Sequence, residues 1–164
     1  MAGKVNAVPT GYHSITPYLV LSDASRAIDF YKQAFDAKEI SRMGGPGGKI
    51  GHAELKIGDS MLMLSDEMPG GGNRSPQSLG GSPVSMFLYV ENVDSVFDRA
   101  VKAGGKADMP PQDMFWGDRY GKLTDPFGHS WGLATHIEDV TPAEMDKRAQ
   151  AFMAQMSQTA GQGV

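Results

Sequence analysis

Hydrophobic and polar positions repeat along this chain in two similar runs. Tyr18-Leu19-Val20-Leu21 is a short apolar stretch between Pro17 and Ser22-Asp23, which predicts a strand. Ser22 or Asp23 then caps a helix whose apolar positions, Ala24, Ala27, Ile28, Tyr31 and Phe35, fall on one stripe. Gly44-Gly45-Pro46-Gly47-Gly48 predicts a turn joining strands near 38–43 and 49–57. In the second of these, Ala53, Leu55 and Ile57 alternate with His52, Glu54 and Lys56. Gly58-Asp59 reads as a hairpin turn into a strand at Met61-Leu62-Met63-Leu64. Residues 66–83 hold eleven Gly, Pro or Ser in eighteen and read as a flexible connector.

The second run replays the first. Met86-Phe87-Leu88-Tyr89-Val90 predicts a strand. Val93, Val96, Phe97, Ala100 and Val101 give a helical stripe ended by Gly104-Gly105. Asp125-Pro126-Phe127-Gly128 is a turn before a last strand, Ser130-Trp131-Gly132-Leu133-Ala134. An offset of 69 carries Tyr18-Leu19 to Phe87-Leu88 and Ile28 to Phe97, and an offset of 70 carries Gly58-Asp59-Ser60-Met61 to Gly128-His129-Ser130-Trp131. A duplication of a strand–helix–strand–strand–strand unit follows. Thr141-Pro142-Ala143-Glu144 is a capping box, and Met145, Ala149, Phe152, Met153 and Met156 form an apolar stripe behind it. That predicts a C-terminal amphipathic helix packed on its own domain or a sister subunit, frayed from Ser157. The layout is an arm at 1–13, a first module at 14–65, a linker at 66–83, a second module at 84–136, and a helix and tail at 137–164.

Composition narrows the function. A net charge of -4 argues against a nucleic-acid binder. The absence of Cys removes disulfides, thiolate zinc sites and Cys nucleophiles. No apolar run approaches the ~20 residues of a membrane helix, and MAGKVNAVPTG has no signal core, so a cytoplasmic protein is expected. Eleven Met suggest an adaptable core or an apolar pocket.

The helix Ala27-Ile28-Asp29-Phe30-Tyr31, the turn Asp125-Pro126-Phe127-Gly128 and the doubled unit make the chain resemble the vicinal-oxygen-chelate superfamily of glyoxalases, bleomycin-resistance proteins and extradiol dioxygenases. Pro17-Tyr18-Leu19, His52-Ala53-Glu54-Leu55 and above all Phe115-Trp116-Gly117-Asp118-Arg119-Tyr120-Gly121 look like its PhnB-like branch. The resemblance implies an α+β fold. Two βαβββ repeats would form curved mixed sheets around a cavity, and the protein would be a homodimer with a small-molecule ligand; charge and the lack of a long apolar run speak against nucleic-acid and membrane partners. Leu19, Leu21, Met61, Met63, Met86, Leu88, Val90, Trp131 and Leu133 would face the helices. Tyr18, Val20, Leu62, Leu64, Ser85, Phe87, Tyr89 and Gly132 would line the other face.

The resemblance also implies four metal-ligand positions. They fall on Thr16, Leu62, Ser85 and Gly132, none of which suits a divalent ion, so no metal or other cofactor is expected there. His52 and Glu54 lie two apart on one strand and share a face, as an acid/base pair or as ligands of an atypical metal site. His13, His129 and His136 read as solvated. Phe115, Trp116 and Tyr120 offer flat apolar surface, and Arg119 a fork of donors for an anion. In the opposing reading Arg119 pairs with Asp118 or Asp125 and Trp116 plugs a dimer seam. A phosphonate grip uses more donors than one Arg. Gly44–Lys49 departs from a phosphate loop, with Met43 at the first glycine and Ile50 at the Ser/Thr position.

Two functions stand at this point. One is a metal-free binder of a small aromatic or anionic molecule, held by Tyr18, Phe87, Tyr89, Phe115, Trp116, Arg119 and Tyr120. The other is an enzyme of lyase, isomerase or dioxygenase type working through His52 and Glu54.

Overall fold

A computed structural model describes residues 5–160; the ends of the N-terminal arm and of the tail lie outside the described residues. Both predicted modules form. The first is β1 (Tyr18–Leu21), α1 (Ala24–Phe35), β2 (Lys38–Gly44), β3 (Ile50–Ile57) and β4 (Ser60–Asp66), with sheet order β1-β4-β3-β2. The second is β5 (Ser85–Tyr89), α3 (Val93–Lys102), β6 (Lys106–Asp113), β7 (Asp118–Thr124) and β8 (Ser130–His136), ordered β5-β8-β7-β6. In each sheet the first strand runs parallel to the last, and the other pairings are antiparallel. Within 66–83 a helical turn, α2 (Pro76–Leu79), interrupts the expected connector. The Ser75 and Ser78 hydroxyls and the Ser75 amide all donate to Glu67 Oε2 there, holding that carboxyl down at about 2.

Local chemistry explains the helices. The Asp23 side chain accepts from the Arg26 amide at 3.0 Å to start α1, and Asn92 does the same for the Ser95 amide at α3. Ala24, Ala27, Ile28, Tyr31, Ala34 and Phe35 are the buried side of α1; Val93, Phe97 and Ala100 are that of α3. The two helices pack on each other, and one apolar core runs through both modules.

The turn after β7 locks the modules together. Asp125 is buried and takes four donors. The Phe127 and His129 amides reach Oδ1 at 2.9 Å each, while Tyr31 Oη and Trp131 Nε1 reach Oδ2 at 2.7 and 3.0 Å. Tyr31 comes from α1, so two motifs 94 residues apart meet in one bond. Burial, then the Asp125 charge, pushes the Tyr31 phenol well above its ordinary value. Trp131 also lies against Phe35, with ring centroids 4.6 Å apart. His129, expected to be solvated, is only 8% exposed, because its Nε2 reaches the Val20 carbonyl across the module boundary at 3.2 Å.

Two expectations change. The two-residue turn Gly58-Asp59 pairs Ile57 with Ser60, and therefore Leu55 with Leu62 and Ala53 with Leu64. Leu62 and Leu64 thus face the helices, and Met61 and Met63 lie on the other face, the reverse of the assignment from sequence. The repeat offset is then 69 at the last strand as at the first: Tyr18 opposes Met63 as Phe87 opposes Gly132. Within one chain, moreover, the helix-free faces stay open. Tyr18, Phe87 and Tyr89 are 44%, 53% and 61% exposed, and β1 and β5 are both edge strands.

The C-terminal helix, α4 (Pro142–Ala160), continues past Ser157. Its Thr141 cap accepts from the Glu144 amide at 3.4 Å. Phe152 packs on Phe115, while Met153 and Met156 are exposed. No described helix is long and apolar enough to cross a membrane.

Candidate functional site

The register of β5, β8 and β7 places Phe87, Tyr89, Gly132, Ala134, His136, Asp118, Tyr120 and Lys122 on the helix-free face of the second sheet. Gly132 leaves room for an aromatic pair. A Cβ there would lie 2.9 Å from Tyr120 Cε2 and 3.0 Å from Phe87 Cδ2. The Phe87 and Tyr120 rings stack above it, with centroids 5.5 Å apart and planes within 8°. Tyr89 adjoins Phe87 at 5.1 Å, Trp116 adjoins Tyr120 at 5.9 Å, and Phe115 bridges Trp116 to Phe152 of α4.

A turn built on Gly117 sets the Trp116 and Asp118 side chains. Gly117 has φ 96°, its amide donates to the Met114 carbonyl at 3.1 Å, and its carbonyl accepts from the Ile137 and Glu138 amides. Asp118 is buried beneath the rings. Its Oδ2 accepts from Tyr89 Oη at 3.0 Å and Trp116 Nε1 at 3.1 Å, and its Oδ1 is 2.8 Å from His136 Nδ1. The hydrogen bond to Asp118 raises the Tyr89 phenol above its ordinary value. His136 Nε2 lies 3.0 Å from Asp139, and Asp139, then Asp118, raise the imidazole above its ordinary value. His136 is thus partnered on both nitrogens rather than simply solvated.

Five of the seven residues expected to hold a ligand therefore gather on or beside one aromatic surface: Phe87, Tyr89, Phe115, Trp116 and Tyr120. Arg119 does not join them. It alternates onto the other face, and its guanidinium binds Asp94 at 2.7 and 2.8 Å and Asp113 at 2.9 Å, not Asp118 or Asp125. Tyr18 lies in the first sheet, where its hydroxyl is 3.3 Å from His52 Nδ1 and His52 Nε2 is 3.4 Å from Glu54 Oε1. The neighbouring Tyr12 hydroxyl, then His52 and Ser41, hold the Glu54 carboxyl below its ordinary value. Asp118 and His136 were given no part in the site from sequence, although counting outward from the Asp125–Gly128 turn places them opposite each other.

The ligand positions implied by the superfamily become Thr16, Met63, Ser85 and Gly132 once the β4 register is corrected. A hydroxyl just ahead of β1, another at the start of β5, a thioether and a bare backbone do not fit a divalent ion that takes His and carboxylate donors. Among the described residues no group of three or more His, Asp or Glu is placed to hold a metal ion. Two of the cavities between the modules border the helix-free faces. One of about 360 Å³ is lined by Pro17, Met61, Ser85, Phe87, Leu88 and Trp131. The other, of about 610 Å³, is lined by Lys38, Lys56, Tyr89, Val96 and Arg99 among others.

Known proteins share this architecture. An uncharacterized protein of Mycobacterium tuberculosis, Rv0887c, is 46% identical over 135 residues, which are 80% of this chain and 79% of that one. The crystal structure of PA1353 from Pseudomonas aeruginosa superposes with a TM-score of 0.62 at 26% identity, covering 77% of this chain and 99% of that one. A PhnB protein from Bacillus cereus has the same fold, with a TM-score of 0.59 at 23% identity over 75% of this chain and 99% of that one. Residues 11–133 match the family described as the glyoxalase/bleomycin resistance protein/dioxygenase superfamily, and the chain belongs to it.

Proposed function

We propose that this protein binds a small planar aromatic molecule on the Phe87–Tyr89–Trp116–Tyr120 surface, and that it does so as a homodimer without a bound metal. The stacked Phe87 and Tyr120 rings over Gly132 carry the reading, because more than half of Phe87 stays open to solvent beside them. Exposed aromatic clusters of this kind mark ligand or subunit contacts rather than ordinary surface. The edge positions of β1 and β5 support the dimer, since each has unpaired backbone groups along one side beside the open aromatic face.

Calorimetric titration of the purified protein with naphthalene-1-methanol tests the binding. Binding in the micromolar range is expected, weakened about tenfold or more in Tyr120→Ala and Trp116→Ala, in line with the loss of one aromatic stacking partner. Unchanged affinity in both variants would defeat the proposal. Light scattering reports the dimer mass.

The His52–Glu54 pair favours a second reading, an enzyme. Both side chains share one face with the Tyr18 hydroxyl, as an acid/base group requires. Stoichiometric zinc, nickel, manganese or iron in purified protein, lost in His52→Ala, would select that reading over the binder.

A further inference from the structure

His136 ends the aromatic face, and its surroundings resemble a charged socket filled by a stand-in. Its Nδ1 is fixed by Asp118, whose side chain is only 5% exposed and which also takes Tyr89 and Trp116. That leaves Nε2 as the outward donor. Its partner is Asp139, three residues on, with a side chain fully in solvent. An ion pair with so exposed a partner contributes little and is readily exchanged.

We propose that the ligand of the aromatic face is a planar aromatic carboxylate, and that its carboxylate displaces Asp139 from His136 Nε2. The inference rests on the aromatic-face reading above and names its ligand class. The exchange puts one carboxylate in place of another at Nε2, so the imidazole keeps one anion on each nitrogen while Asp139 turns out into solvent. The displaced Asp139 loses nothing to burial, because it is already solvated. The incoming carboxylate brings a ring that stacks where Asp139 has none, on the face bounded by Tyr89, Trp116 and Tyr120.

Other cations near this face do not offer the same contact. Arg119 points away and is held by Asp94 and Asp113. Arg148 of α4 is taken by Glu138 at 2.8 Å and Glu144 at 3.0 Å. Lys122 shares the face but lies beside Gly132, four pairs along the strands from His136, at the far end of the Phe87–Tyr120 stack. The charged groups around His136 are therefore Asp118 from β7, Asp139 and the Arg148-paired Glu138 from the loop after β8, and Tyr89 of β5 acting through Asp118.

The sign of the pH dependence follows. Asp139, then Asp118, raise His136, so its imidazolium persists above the ordinary histidine range. The carboxylate contact is present below that raised value and is lost as pH rises through it. It is lost again in acid, when the ligand itself is protonated near about pH 4.

Titration of the full chain with 1-naphthoic acid and with its neutral counterpart naphthalene-1-methanol, at about pH 6 and about pH 9, separates the possibilities. The acid is expected to bind about tenfold tighter than the alcohol at the lower pH, with the advantage gone at the higher one. His136→Gln should abolish the advantage while the alcohol still binds. Asp139→Asn should tighten the acid severalfold and leave the alcohol unchanged. Equal binding of the two probes at both pH values, or an advantage that survives His136→Gln, overturns the proposal. Should His136→Gln fail to fold, Asp139→Asn decides, and unchanged affinity for the acid overturns it. If neither probe binds, the aromatic-face reading falls first and this inference with it.

Discussion

Asp125→Ala is expected to destabilise the protein by about 3–5 kcal/mol, the large loss that follows when a buried hydrogen-bond network loses its shared acceptor. The substitution removes the acceptor of two backbone amides and strands Tyr31 Oη and Trp131 Nε1 in the core, where each unsatisfied group costs about 1–3 kcal/mol. Asp125→Asn should fall between the two, since its amide oxygen still accepts but its NH₂ faces a donor. Urea unfolding, followed by tryptophan fluorescence, gives the midpoint and slope. A loss below about 1 kcal/mol for Asp125→Ala would show that the turn does not join the modules as described. A second, earlier transition in the variant would show the modules uncoupling rather than the whole fold weakening.

Gly117→Ala is expected to damage both stability and ligand binding. The residue has φ 96°, a region that costs an L side chain about 1–2 kcal/mol, and the new Cβ would run into the Glu138 carbonyl and lie 2.9 Å from the Val140 side chain. The turn must open, which moves Trp116 off Tyr120 and pulls Asp118 from beneath Tyr89. A combined cost of about 2–4 kcal/mol is expected from strain and lost contacts together. Binding of naphthalene-1-methanol should then fall further than in Trp116→Ala, because the whole constellation shifts and not one ring. Thermal unfolding and the same titration check it. A Gly117→Ala protein as stable as the parent, with intact binding, would remove the turn from the account of the site.

The fold was legible because its signals are local. The strand Tyr18–Leu21, the stripe of α1 and the 69-residue repeat each follow from spacing along the chain. The β4 face was misread for a local reason too. Met61-Leu62-Met63-Leu64 is apolar at every position, so alternation gives no phase, and only the length of the Gly58-Asp59 turn fixes it. The site was half legible. Phe115, Trp116 and Tyr120 stand together in sequence, and Phe87 and Tyr89 follow from strand alternation. The partners of Arg119 and the environment of His129 depend on contacts across long separations, Asp94 to Arg119 and Val20 to His129, which no local pattern carries. His136 reads as solvated from the sequence because its pairing with Asp118 emerges only when β7 and β8 are counted outward from the Asp125–Gly128 turn.

Gly132 has a bearing on what else this face of the second sheet could hold. A coordinating side chain at that point and the Phe87–Tyr120 stack would occupy the same space, so one chain cannot hold both at once. Any donor side chain introduced at Gly132 would first have to displace the Phe87 or the Tyr120 ring, so the position cannot gain a coordinating group while that stack stands.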